Sequence, residues 1–120
     1  MLYKILKLLK KKKFVKDYSL LDFKQGEAFY YIKMKVIFSD KSILFIREYM
    51  DREEFLYSYH WQDKEGKLLY RWDNAPYHKE IETFPYHLHY KNKIKESKPV
   101  SIEEVLEFIE KTIGKNNEKI

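Results

Sequence analysis

Between residues 29 and 38 every even position is aromatic or aliphatic: Tyr30, Ile32, Met34, Val36 and Phe38, with Lys33 and Lys35 between them. Successive side chains of a strand point to opposite faces, so a period of two over ten residues dictates a β-strand with one buried face. A strand of this kind needs neighbours to pair with and a layer to cover it. The rest of the chain has to supply both.

Neighbouring strands are readable on the C-terminal side. Ser39-Asp40-Lys41-Ser42 is turn chemistry, and residues 43–49 form a second strand. A third spans 54–62 and a fourth 68–73, joined by Asp63-Lys64-Glu65-Gly66. A type I turn with glycine at the left-handed position suits that tetrapeptide. Residues 86–90 make a short fifth strand, and residues 15–23 a connector or short strand ending at Gly26. The covering layer is helical. Leu2, Ile5, Leu6 and Leu9 recur at helical spacing among lysines, giving a helix over residues 2 to about 13. Ser101 with Glu104 forms a capping box ahead of Ile102, Val105, Leu106, Ile109 and Ile113, and Gly114 stops that helix. The expected fold is α+β: an antiparallel meander of four to five strands flanked by an N-terminal and a C-terminal helix. Residues 1–114 form one domain and 115–120 a frayed tail.

With 120 residues the chain makes one modest core, and 18% aromatic residues are enough to close it. The absence of cysteine removes disulfides, thiolate metal sites and a cysteine nucleophile. Two glutamines and 36% charged residues suit a thermophile or an AT-rich genome. No apolar run approaches the roughly 20 residues that span a bilayer. The lysine run at 10–13 follows the apolar stretch, the reverse of a signal peptide's order, so a soluble, cytoplasmic protein is expected. The net charge of +5 gathers in the N-terminal lysines and reads either as a solvated basic end or as a phosphate-contacting arm.

Polar chemistry concentrates between Tyr59 and His89, which holds all four histidines. A three-residue loop closed by a glycine bulge would pair Trp61 with Leu69, His60 with Tyr70, Tyr59 with Arg71 and Tyr57 with Asp73. Tyr57, Tyr59, Trp61, Arg71 and Asp73 would then share a face. The loop after Asp73 carries Pro76 and Pro85, which limit its freedom and present His78 and Thr83. His87 and His89 stand two apart on a strand, on one face and some 6 to 7 Å apart from the strand rise. That spacing serves an acid and a base about a phosphodiester, two metal ligands completed by His60 and Asp73, or a hydrogen-bonded structural cluster. Three glycines cannot build a phosphate-binding glycine loop, and no Gly-x-Ser-x-Gly or His-Glu-x-x-His is present, so no cofactor is expected.

The strings Tyr57-Ser58-Tyr59-His60-Trp61-Gln62, Arg71-Trp72-Asp73-Asn74-Ala75-Pro76, His78, Thr83-Phe84-Pro85 and His87-Leu88-His89 resemble the TumE-like proteins. The resemblance runs from about residue 29 to 113. These are small prokaryotic proteins regarded as toxins of toxin–antitoxin pairs, and the resemblance implies a partner antitoxin carrying a helix-turn-helix domain. Tyr77 and Tyr86 occupy places where that pattern often has histidine, which leaves fewer ligands for a metal. Three readings of the surface stay open. One is metal-independent RNA cleavage, with His87 and His89 as acid and base and Arg71 on the phosphate. There His60 or Tyr59 assists, Asp73 and His78 belong to the catalytic set, and Tyr57, Tyr59, Trp61 and Thr83 contact the substrate. The second is a non-catalytic module that binds the antitoxin, and the third a metal-dependent enzyme. An exposed edge strand would also allow a homodimer.

Overall fold

The computed structural model describes residues 1–74, 87–91, 93–96 and 98–118. Helix α1 (Leu2–Lys11) leads into strands β1 (Val15–Gln25), β2 (Tyr30–Phe38), β3 (Ile43–Met50), β4 (Phe55–Gln62) and β5 (Leu68–Asp73). Strands β6 (His87–Tyr90) and β7 (Lys93–Glu96) follow, and helix α2 (Ile102–Glu118) closes the chain. The strands form one antiparallel sheet in sequence order, β1 to β7. The α+β meander between two helices is therefore as expected, but it holds seven strands among the described residues rather than four or five. The connector at 15–23 is a full strand, and β7 was not read at all.

Both helices pack on the same side of the sheet. Ile5 and Leu9 of α1 and Ile102, Val105, Leu106, Ile109 and Ile113 of α2 join Ile32, Met34, Val36, Phe38, Leu44, Ile46, Tyr57, Tyr59, Trp61 and Trp72 in a single core. Apolar surface withdrawn from water, at roughly 25 cal/mol per Å², holds these layers together. Ion pairs Lys4–Glu103 (3.2 Å) and Lys12–Glu110 (3.6 Å) link the helices along their length, so they run in the same direction. Part of the N-terminal lysine charge is thus spent inside the molecule.

Helix α2 opens on the expected capping box: Glu104 N–H donates to Ser101 Oγ (3.2 Å), and Ser101 N–H to Glu104 Oε1 (3.2 Å). It does not stop at Gly114. It continues through Glu118, because no left-handed residue or proline intervenes and a lone glycine costs a helix only about 1 kcal/mol. The expected frayed tail is helical for its first four residues.

The β4–β5 turn closes as expected. Gly66 N–H donates to Asp63 O (3.0 Å) with Gly66 at φ +91°, and Asp63 N–H donates to Lys67 O (2.8 Å). Beyond it the register differs. Gln62 pairs with Leu68, but Trp61 pairs with Tyr70, Tyr59 with Trp72 and Ser58 with Asp73. Leu69 is an extra residue, a β-bulge, and every partner after it is displaced by one.

Candidate functional site

A one-residue slip moves a strand's side chains to the opposite face. The bulge at Leu69 therefore splits the set of residues expected to share a face. Tyr57, Tyr59 and Trp61 lie on the helix side with Trp72, at 5%, 1% and 2% exposure. Arg71 and Asp73 lie on the other side, which among the described residues no helix covers. The expectation that Tyr57, Tyr59, Trp61, Arg71 and Asp73 form one surface is corrected.

The three aromatic residues are occupied in the core. Trp61 Nε1–H donates to Ser42 Oγ (3.0 Å), Tyr57 and Tyr59 stack at 5.0 Å, and the Tyr59 hydroxyl donates to Glu48 Oε2 (2.5 Å). Burial and the Glu48 carboxylate push the Tyr59 phenol far above its usual range, and its place in the core keeps it from the open face. Burial likewise raises Glu48, against the lowering effect of hydrogen bonds from Tyr59 and Tyr30.

On the open side the register builds two cross-strand rows. One reads Asp22, Lys33, Arg47, Ser58, Asp73; the other reads Ser19, Lys35, Phe45, His60, Arg71, His89. His60 and His89 thus flank Arg71, one on each neighbouring strand, with about 4.8 Å between strands. Asp73 is 3% exposed. Its Oδ2 lies 3.2 Å from Arg71 Nε and 3.4 Å from His89 Nε2. The Arg71 Nε–H is not aligned on that oxygen, so charge rather than a directed hydrogen bond holds the pair. A cleft of about 380 Å³ opens over these rows, lined among others by Lys33, Phe45, Arg47, His60, Gln62 and Arg71.

His60 is half-buried against Phe45, ring centroids 6.2 Å apart. Its Nε2 sits 3.1 Å from Gln62 Oε1. A carbonyl oxygen only accepts, so Nε2 carries the hydrogen and Nδ1 is left as the basic nitrogen. Desolvation lowers the His60 pKa below the usual imidazole range, opposed by the Gln62 bond and aided by Arg71. The ring is neutral near pH 7.

Asn74 ties β5 to β4. Its Oδ1 accepts from Tyr57 N–H (2.8 Å) and its Nδ2 donates to Phe55 O (2.7 Å). This fixes the end of the strand that carries Asp73.

His78 and Thr83 lie outside the described residues. So does the side chain of His87, whose backbone pairs with Asp73. Among the described residues, no three of His, Asp and Glu gather closely enough to hold a metal ion. None of their helices is long and apolar enough to cross a membrane. The sequence reading missed Phe45 and the basic side chains Lys33, Lys35 and Arg47, spread over the two rows. Their signal was present: they occupy the odd positions of β2 and β3, the complement of the core pattern.

The fold and this face define a class: a one-sided α+β sheet protein with both helices on one face and a cationic, histidine-bearing surface on the other. The chain belongs to the family described as toxin TumE, whose model matches residues 5–115. Membership suggests a toxin of a toxin–antitoxin system and implies an antitoxin as partner. No curated protein and no solved structure matches the chain.

Proposed function

We propose that this toxin cleaves RNA on the open sheet face, without a metal, by acid–base chemistry centred on Arg71. The observation that carries the reading is the row His60, Arg71, His89, with Asp73 against both Arg71 and His89. RNA supplies its own nucleophile, the 2′-hydroxyl. His60, neutral and with Nδ1 available, removes its proton as the bond from O2′ to phosphorus forms. The bond from phosphorus to O5′ breaks as His89 gives that oxygen a proton, leaving a 2′,3′-cyclic phosphate and a free 5′-hydroxyl. Arg71 stands between the two imidazoles, where negative charge accumulates on the phosphorane. Asp73 orients His89, as a carboxylate behind a catalytic imidazole does elsewhere. With Tyr57, Tyr59 and Trp61 in the core, base stacking passes to Phe45, whose ring borders the same cleft. His87, in register with Asp73, is the other imidazole for the base role. The antitoxin that the family implies is taken to carry a helix-turn-helix domain.

The test uses untagged protein, a short RNA and EDTA. Wild type should yield cyclic-phosphate ends. His89→Ala and Arg71→Ala should each slow cleavage by about 10²-fold or more. Comparing His60→Ala with His87→Ala assigns the base. Undiminished cleavage by Arg71→Ala, or intact RNA with wild type, overturns the reading.

A further inference from the structure

We infer that β1 is the seam of a two-fold homodimer, in which two copies pair edge to edge in one specific register. Strand β1 ends the sheet on one side and β7 on the other. The two edges differ. β7 is four residues long and carries Lys93, Lys95 and Glu96, the usual protection against edge pairing. β1 is eleven residues long, and Leu20, Leu21 and Phe23 on it are exposed at 45%, 47% and 38%.

The free edge has usable backbone groups. Gly26 N–H donates to Phe29 O (3.0 Å), which turns Gly26 toward β2. Alternation along an antiparallel ladder then turns Gln25 and Phe23 outward. Leu20 skips to Asp22 in the pairing with β2, so Leu21 is bulged and the phase resets. Before the bulge, Leu20 and Tyr18 take the outward phase, opposite Met34 and Val36. Tyr18 N–H bonds to Asp17 Oδ1 (2.8 Å), a local stand-in for a strand partner.

The bulge selects the register. A two-fold axis between Leu20 and Leu21 sets Tyr18 opposite the second copy's Phe23, Asp17 opposite its Lys24, and Ser19 opposite its Asp22. Each such pair lies on a common face, because the phase change at Leu21 compensates the odd offset. Tyr18 and Phe23 are both outward-facing, so each contact can exchange two backbone hydrogen bonds, and the symmetry makes it twice. Asp17 with Lys24 likewise occurs twice with opposite charges. Moving the axis onto Leu20 would oppose Lys16 to Lys24, like to like. Moving it one step further would oppose Asp17 to Asp22. Of these three registers only the first satisfies faces and charges together, and it alone opposes Asp17 to Lys24. Such an axis is normal to the sheet, so both open faces point the same way and join into one surface.

Light scattering on untagged wild type at micromolar concentration should give twice the mass of one chain. Asp17→Lys sets lysine against Lys24 at two places and should weaken dimerisation about tenfold. Adding Lys24→Asp restores both pairs in reversed polarity and should restore the dimer. Circular dichroism of each variant separates loss of pairing from loss of fold. Leu20→Lys, at the axis, should also give monomer. A monomeric wild type overturns the inference. So does a dimer indifferent to Asp17→Lys, or one that the double exchange does not recover.

Discussion

Burial disfavours the imidazolium form of His60 and the carboxylate form of Glu48, so the two residues bend the pH profile in opposite directions. The folded pKa of His60 lies below that of the unfolded chain. This group is neutral toward stability above the ordinary imidazole range and costs stability as pH falls through it. His60→Gln should therefore lose less stability than wild type between about pH 7 and 5 in urea titrations. In catalysis the same depression should place the acid limb of the pH–rate profile below the free imidazole value of about 6.5. Glu48 behaves in reverse: its contribution is full at low pH and is lost as pH rises through its raised pKa. Glu48→Gln keeps an acceptor for the Tyr59 hydroxyl and removes the ionisation, so it should gain on wild type as pH rises. Glu48→Ala strands that hydroxyl in the core and should cost about 1–3 kcal/mol at any pH.

The β4–β5 hairpin decides which residues meet, and it shows where sequence reading succeeds and fails. Its turn was legible because Asp63, Gly66 and their spacing impose local hydrogen bonds. The bulge at Leu69 was not, since Leu68 and Leu69 are both apolar and either suits the same place. A better guide was the alternation of Tyr57, Tyr59 and Trp61 with Ser58, His60 and Gln62. It groups Tyr70 and Trp72 with the former and Arg71 and Asp73 with the latter, which is the observed division. Strand β1 escaped reading for a related reason: bulges at Lys16 and Leu21 break its period. Two changes probe this element by denaturation. Deleting Leu69 removes only the unpaired residue and keeps Trp61 opposite Tyr70, His60 opposite Arg71 and Tyr59 opposite Trp72, so the variant should still unfold in one cooperative transition with Arg71 and Asp73 on the open face. Asn74→Ala removes two bonds to β4 backbone groups, one of them buried, and should cost about 2 kcal/mol or more.

Across the whole molecule the division of labour follows from a sheet covered on one side only. The helix-covered face takes Tyr57, Tyr59, Trp61 and Trp72, and even its carboxylate, Glu48, is satisfied by tyrosines. The open face keeps cations, two described histidines and one buried aspartate in register across neighbouring strands. The class of fold was legible because amphipathic periods and the capping box are local signals. The makeup of the face depended on strand pairing over long sequence distances, which no local pattern fixes. A toxin family and a cationic open face converge on growth as the readout. In cells induced to make the protein without its antitoxin, wild type should arrest growth. Arg71→Ala, made to the same level and melting within a few degrees of wild type, should let the cells grow. Arrest by Arg71→Ala as complete as that by wild type would contradict the assignment of toxicity to this face.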